Sequence, residues 1–191
     1  MPSTLESIAE ELQAKHVVET SWEKLGLIFD NEAAEEVIRR CPEELYRDPT
    51  RDNEHTRTVA RANSPACRAA ARTFIEPVVD HLFEGDQYVD ARKNWVLFGV
   101  NYYDGDDRFG WHHDLYNSDV KTIVIGSISG IRRLTVEGYP PIDLEPESIV
   151  LLDGAANLWH KAECLEGPSV SVVADVPELL YGTPMSFGPT K

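Results

Sequence analysis

A long series of short apolar runs, beginning near residue 94, is the feature that most constrains the fold of this chain. Turn-forming glycine, proline and aspartate residues separate the runs, and no helical pattern intervenes before residue 176. Runs of this kind are typical of antiparallel strands. We therefore predict two antiparallel sheets that close as a sandwich or jelly roll. The predicted strands are Trp95–Tyr103, Val120–Ser129, Ile131–Val136, Ser148–Leu152, Leu158–Ala162 and Ser169–Val173.

The first forty residues predict two short helices instead. A capping box over residues 3–6 precedes apolar residues at helical spacing, which predicts a helix over residues 4–15. An aspartate or asparagine cap at residues 30–31 begins a second helix over residues 31–40. The mixed segment between the two helices leaves room for a short strand near residues 25–29.

The clearest helical pattern of the chain begins at Ser64, where a cap residue is followed by proline at the first helical position. Apolar residues then recur at helical spacing as far as Leu82, while Pro77 is expected to kink the helix and Gly85 to end it. We expect this helix to pack across the outside of a sheet. The preceding polar segment, residues 43–63, predicts a long loop, either a lid that contacts substrate or a solvated surface loop.

The chain as a whole is therefore predicted to be mainly β with N-terminal helices, an α+β protein. At 191 residues it is long enough for one domain with its own core. Residues 1–90 would form the helical support and the loop, and residues 91–176 the jelly-roll core. Residues 177–191 would form a C-terminal tail that carries proline and glycine.

The composition narrows the classes of function. The chain has 33 acidic and 18 basic residues, so its net charge of −15 disfavours nucleic acid as a partner. No apolar stretch is long enough to span a membrane, and the N-terminus shows no secretory signal. The three cysteines are widely spaced and are expected to be reduced thiols, which favours an intracellular, cytoplasmic protein.

Within the predicted β region, the segment Gly110–Asp114 carries the residues most typical of a metal site. In an extended segment, side chains two residues apart point to the same side. His112 and Asp114 can therefore face one point, while His113 faces away. His160, on a distant strand, can supply a second imidazole. Two imidazoles and one carboxylate form the facial triad that holds iron(II) with positions open for substrate and O2.

These residues and their surroundings resemble the iron(II)/2-oxoglutarate dioxygenases, especially the AlkB-like branch. A Tyr-x-x-Gly turn at residues 102–105 precedes the His-x-Asp motif at residues 112–114, as in that branch. The segment Asn157–His160 is similar to its distal-ligand segment, and the resemblance spans residues 95–176. It implies a double-stranded β-helix (cupin-like) core, Fe(II) at the triad, and 2-oxoglutarate and O2 as cosubstrates. It also implies that Tyr102 binds the cosubstrate.

Four residues beside the predicted ligands are candidates for substrate contact or for support of the metal ligands. Tryptophan at such a position is by default a packing residue, because it buries a large ring. These four candidates are Trp111, His113, Asn157 and Trp159.

The chain departs from the AlkB-like pattern at the position that binds the far carboxylate of 2-oxoglutarate. That branch has an arginine on the strand after the distal histidine and a second arginine beyond it, and a guanidinium suits a bidentate carboxylate. Ser169 and Asp175 fall at these two positions here, and neither is a cation. A relocated cation, a different organic reductant and a metal-binding fold without oxygenase activity are the three explanations.

A cation on another strand could replace the missing arginine. The JmjC and asparaginyl-hydroxylase branches use a lysine shortly beyond a glycine turn, and Arg132 resembles that placement after Gly130. Since Arg132 and Arg133 are adjacent on a predicted strand, one should point into the barrel and the other outward. An inward arginine would bind a ligand carboxylate or pair with a buried acid such as Asp175. Lys121 is a weaker candidate.

The sequence leaves three functions open. The first, which the resemblance favours, is an Fe(II)-dependent dioxygenase that oxidises a C–H bond of a small molecule or a modified nucleobase. The second is a zinc-type hydrolase, because the same ligands can activate water. The third is a noncatalytic, cupin-like binding protein.

Overall fold

The computed structural model describes residues 4–41, 46–47, 56, 58–61, 65–83, 97–113, 122–156 and 158–176. The α-helices of this part all lie in its N-terminal half, and strands dominate the rest. The elements in chain order are α1 (Thr4–Lys15), β1 (Val17–Ser21), α2 (Asn31–Arg40), β2 (Tyr46–Arg47), β3 (Thr58–Arg61), α3 (Pro65–Leu82), β4 (Leu97–Tyr103), β5 (Arg108–His112), β6 (Thr122–Val136), β7 (Ile142–Leu144), β8 (Ser148–Asp153) and β9 (His160–Val176).

Two long strands, β6 and β9, run through both layers of the β structure and pair with each other along most of their length. The large layer has the order β1-β8-β6-β9-β4-β3-β2. In the small layer, β5 pairs with the first part of β9 and β7 pairs with the last part of β6. Side chains from both layers meet in one apolar cluster between them, as in a sandwich whose strands switch sheets. The predicted mainly-β jelly-roll core is therefore confirmed.

Gly130 lets β6 pass from the large layer to the small one. Its φ of +63° lies in the left-handed region that glycine adopts without strain. A Cβ at this position would overlap the carbonyl oxygen of Glu166 and lie 2.6 Å from that of Pro168. The pairing register between β6 and β9 shifts on both sides of this residue. Glycine is therefore required where the two long strands bend together.

The three helices cover the outer face of the large layer. Asp30 caps α2 through its carboxylate, which accepts a hydrogen bond from the Ala33 amide at 3.0 Å. A Cβ on Gly126 would collide with the side chains of Ile75 and Trp22, so helix and sheet are in close contact. The helices predicted over residues 4–15 and 31–40 are confirmed. The apolar residues of this helix-side core include Leu12, Trp22, Val37, Phe74, Ile75, Val124, Ile149, Leu151, Val172 and Ala174.

Several predicted boundaries were wrong. The short strand lies at Val17–Ser21, where it pairs with β8, and not near residues 25–29, where the chain turns to bring Leu25 into the core. The segment 43–63 is not all loop, because β2 and β3 within it extend the large layer beside β4. Helix α3 passes through Pro77 and ends at Leu82, and Gly85 lies outside the described residues.

Cys41 and Cys67 form a disulfide that joins the end of α2 to the first turn of α3, with their Cα atoms 5.0 Å apart. The prediction of three reduced thiols was therefore wrong for these two, because helix packing brings together cysteines that are distant in sequence. Cys164 is a free cysteine. Disulfides persist mainly in oxidising compartments, so an intracellular location stays a prediction. No helix in the described part of the chain is long and apolar enough to cross a membrane.

Candidate metal centre

The two predicted histidine ligands lie directly opposite each other on neighbouring strands. His112 is the last residue of β5 and His160 the first of β9, and the two are paired in the register. Val136 on β6 is paired with His160 on its other side and belongs to the core between the layers. Because residues paired across strands share one face, both imidazoles point into the barrel.

The geometry of the two imidazoles suits a metal. Their ring centroids are 4.1 Å apart, and His160 is 9% exposed. Nδ1–H of His112 donates to the Gly110 carbonyl oxygen at 2.7 Å, and Nδ1–H of His160 donates to the Leu158 carbonyl oxygen at 2.9 Å. A carbonyl can only accept, so both rings carry their lone pair on Nε2. Backbone bonds of this kind fix the tautomer of metal-binding histidines.

The third predicted ligand, Asp114, lies outside the described residues. Within those residues, no group of three histidine, cysteine, aspartate or glutamate side chains is close enough to hold a metal. Two imidazoles with Nε2 lone pairs on the same face nevertheless fit the donor set that Fe(II) or Zn(II) takes together with a carboxylate.

An apolar row follows the two histidines along the inside of the small layer. The Phe109 ring lies 3.8 Å from the ring of His112, centroid to centroid. Phe109 is paired with Ala162, which is paired in turn with Leu134 on β6. All three side chains are buried. This row separates the histidines from a polar group deeper in the barrel.

The deeper polar group is centred on Arg132. This residue is paired with Cys164 on β9, and it is only 3% exposed. Its guanidinium carbon lies 5.3 Å from the ring centroid of Tyr103, a distance at which a cation is attracted by the ring face. Burial raises the pKa of the nearby Cys164 thiol. A fixed positive charge therefore lies inside the barrel, one row beyond the apolar side chains.

Hydroxyl groups also lie on the inner face of the large layer, and one of them belongs to the strand partner of Tyr103. Ser169 is paired with Tyr103, and Ser171 lies between Asn101 on β4 and Ser127 on β6. Both β9 serines are buried, and the Oγ of Ser171 has no hydrogen-bond partner within the described part of the chain. Ser169 is the residue that the resemblance predicts at the position of the first arginine of the AlkB-like pattern.

Arg133 points away from the barrel. Its Nε and Nη2 donate to the Asp143 carboxylate at 2.6 and 2.7 Å on the surface of the small layer. The hydrogen bond from Arg133 lowers the pKa of the Asp143 carboxyl. Of the two adjacent arginines predicted for the cosubstrate, only Arg132 therefore lies on the same face as the histidines.

Tyr102 and Tyr103 also lie on opposite faces. Tyr102 is paired with Val170 and packs against the helix-side core. Burial raises the pKa of its phenol, and Asp104 and Asp107 add to the shift. Tyr103 is the one that faces the barrel, next to Arg132. Tyr103 was not among the predicted site residues, and the sequence signal for it was only its place beside Tyr102.

The residues beside the two histidines lie on the outer side of the same strand pair. Trp111 and Trp159 are 44% and 45% exposed. The Lys161 Nζ lies 5.6 Å from the Trp111 ring centroid, and the His113 ring lies 4.5 Å from that of Trp159. Two further candidates, Asn157 and Lys121, lie outside the described residues.

No protein-family model and no curated protein matches the chain. Several solved structures are similar to it in fold. An oxidoreductase of the 2OG-Fe(II) oxygenase family from Burkholderia pseudomallei is 15% identical, with a TM-score of 0.64 over 94% of each chain. A prolyl hydroxylase from Trichoplax adhaerens is 9% identical, with a TM-score of 0.61 over 93% of this chain and 90% of that one.

A third structure is OsALKBH1, which is 12% identical, with a TM-score of 0.53 over 83% of this chain and 96% of that one. Likeness at these identities concerns the fold, and it extends both to a prolyl hydroxylase and to OsALKBH1. The AlkB-like branch therefore stays a prediction. The chain has a double-stranded β-helix fold, the fold of the 2OG-Fe(II) oxygenases.

Proposed function

We propose that this protein is an Fe(II)-dependent dioxygenase that uses 2-oxoglutarate and O2 to oxidise a C–H bond of its substrate. The observation that carries the proposal is the inward pair His112 and His160, whose Nδ1–H groups are both held by backbone carbonyls. Asp114, two positions after His112 in the sequence, would complete the ligand set. The bound metal would supply O2 activation, and the chain would position the reactants around it.

The arrangement of the barrel interior supports a dicarboxylic oxo acid as cosubstrate. Along β9, His160 and Cys164 are roughly 13 Å apart, and Arg132 lies beside Cys164. The oxo acid end would lie at the histidines, and its methylene groups would lie on the apolar row of Phe109 and Ala162. The far carboxylate would lie at Arg132. A guanidinium offers several N–H donors in a planar fork, so it suits a carboxylate.

Two further groups would assist Arg132. The Tyr103 ring lies beside the guanidinium, and the buried Ser171 hydroxyl, on the same inner face as Tyr103, can donate to an anion. Burial strengthens these contacts, because water does not compete for them. The pocket would thus bind one end of the cosubstrate by charge and leave the reactive end at the metal.

Substrate would enter from the side of the histidines. A small molecule or a modified nucleobase fits this proposal better than a long nucleic acid, because the net charge of −15 opposes a polyanion. Oxidation of the substrate would be coupled to oxidative decarboxylation of 2-oxoglutarate to succinate and CO2. One oxygen atom of O2 would enter succinate, and the other would enter the C–H bond of the substrate.

Turnover without substrate tests this proposal. Purified protein with Fe(II), ascorbate, O2 and 2-oxoglutarate should release succinate slowly, and His160→Ala should lower the rate at least about a hundredfold by removing a ligand. A protein that binds iron but releases no succinate would contradict the proposal. Hydrolysis with zinc in the absence of O2 would instead identify a hydrolase, and 2-oxoglutarate binding without turnover a binding protein.

A further inference from the structure

Both candidate histidine ligands lie at strand ends. His112 closes β5 and His160 opens β9, so the ladder that aligns them ends at this pair. The ends of strands open more easily than their centres. A metal site needs its ligands held to within a fraction of an ångström, so something beyond the ladder must hold these two strand ends together.

The next cross-strand contact beyond the histidines lies on the outer side. Since side chains alternate along a strand, His113 and Trp159 follow the inward pair on the opposite face. Their ring centroids are 4.5 Å apart. The Trp159 carbonyl also accepts a hydrogen bond from the Glu137 amide at 2.9 Å, which continues the pairing with β6 past His160. Trp159 therefore connects the ends of all three strands.

A second contact spans the same strands on the other side of the histidine pair. Lys161 lies between the inward residues His160 and Ala162, so it points outward. Its Nζ lies 5.6 Å from the Trp111 ring centroid, within the range of a cation–π interaction. Trp111 reaches from β5 to Lys161 on β9, whereas Trp159, just before β9, reaches to His113, just after β5. The two tryptophans thus flank the histidines from opposite strands.

We infer that the outward pairs His113–Trp159 and Trp111–Lys161 are a brace that positions His112 and His160 for metal binding. The four are positioning residues, because each acts through a neighbouring histidine and faces away from the barrel interior. This inference rests on the proposed metal site. Trp111 and Trp159 are nearly half exposed beside the histidines. The brace gives both rings a role that does not require them to stack on a substrate.

The affinity of the protein for Co(II), measured without cosubstrate or substrate, tests the brace directly. Trp159→Ala and His113→Ala should each weaken Co(II) binding about tenfold, the effect typical of residues that orient metal ligands. The double variant should lose little more than either single variant, because both remove the same contact. Trp159→Phe, which keeps a ring against His113, should restore most of the affinity.

Leu165→Ala is the matched control, since Leu165 lies on β9 and is 46% exposed, as the tryptophans are. It should leave Co(II) affinity unchanged. The thermal midpoint of unfolding, measured on the metal-free variants, shows whether a loss of Co(II) affinity merely follows a loss of overall stability. The Co(II) visible spectrum of Trp159→Ala should show altered ligand geometry.

Unchanged Co(II) affinity and spectrum in Trp159→Ala and His113→Ala would overturn the brace. An equal loss in the Leu165→Ala control, or a loss matched by the fall in thermal midpoint, would overturn it as well. Co(II) binding by the wild-type protein distinguishes failure of the proposed metal site from failure of the brace. If it fails to bind Co(II), the metal site itself is wrong, whereas wild-type binding with unaffected variants removes the brace alone.

Discussion

Over residues 169–172 the two faces of β9 are equally buried but differ in chemistry. Its outward residues, Val170 and Val172 among them, pack against the helices. Its inward residues at the same level, Ser169 and Ser171, are buried hydroxyls. Burial of a hydroxyl is unfavourable unless a hydrogen bond compensates it. The outer face is therefore built for stability, and the inner face keeps polar groups where a ligand can bind them.

The largest expected loss of stability concerns Gly130, where β6 bends from the large layer into the small one. Gly130→Ala should destabilise the protein by about 3 kcal/mol, since it adds a strained φ and a clash with two carbonyl oxygens. Chemical denaturation would measure the change. Gly138→Ala is the control, because Gly138 also has a positive φ but nothing lies near its missing Cβ, and it should cost only about 1 kcal/mol. Equal losses of stability in the two variants would mean that the close approach of the β9 backbone to Gly130 is not what requires glycine there.

Neighbouring residues on the two faces give the sharpest contrast in stability. Val172→Ala should lower the free energy of unfolding by about 2 kcal/mol, because it leaves a cavity beneath the helices. Ser171→Ala should leave it within about 1 kcal/mol of the wild type, since it removes a buried hydroxyl with no partner in the described residues. Urea denaturation of both variants checks this. A large loss in Ser171→Ala would show that the hydroxyl is structural, which would end the contrast.

Which elements the chain forms could be predicted well, because this depends on local pattern. The helices over residues 4–15 and 31–40 follow from caps and helical spacing. The strands β6 and β9 were each predicted as two shorter strands, since glycine and proline normally end strands. Here Gly130 and the Gly167–Pro168 step lie inside β6 and β9, where the two strands bend together across both layers.

Which face a side chain occupies could be predicted only in part. Alternation alone separates His112 from His113 and Arg132 from Arg133, but it cannot tell which member of a pair points inward. That choice depends on register, and a slip of one residue reverses it. Tyr103, rather than Tyr102, faces the barrel because it pairs with Ser169 on β9. The disulfide between Cys41 and Cys67 likewise depends on helix packing that no local pattern reveals.

The two adjacent arginines provide the most direct test of the central claim, that an oxo acid spans the barrel from the metal to Arg132. The measurement is the metal-to-ligand charge-transfer band of the anaerobic Fe(II) protein titrated with 2-oxoglutarate. The wild type should form the band, and Arg132→Met should need about ten to a hundred times more 2-oxoglutarate, as expected when a charge-assisted pair is lost.

Arg133→Met should titrate like the wild type, because Arg133 is held by Asp143 on the outer surface. Fe(II) affinity without 2-oxoglutarate should be the same in all three proteins, which excludes an effect through the metal. Equal titrations of Arg132→Met and Arg133→Met, or iron bound without any band in the wild type, would contradict the account.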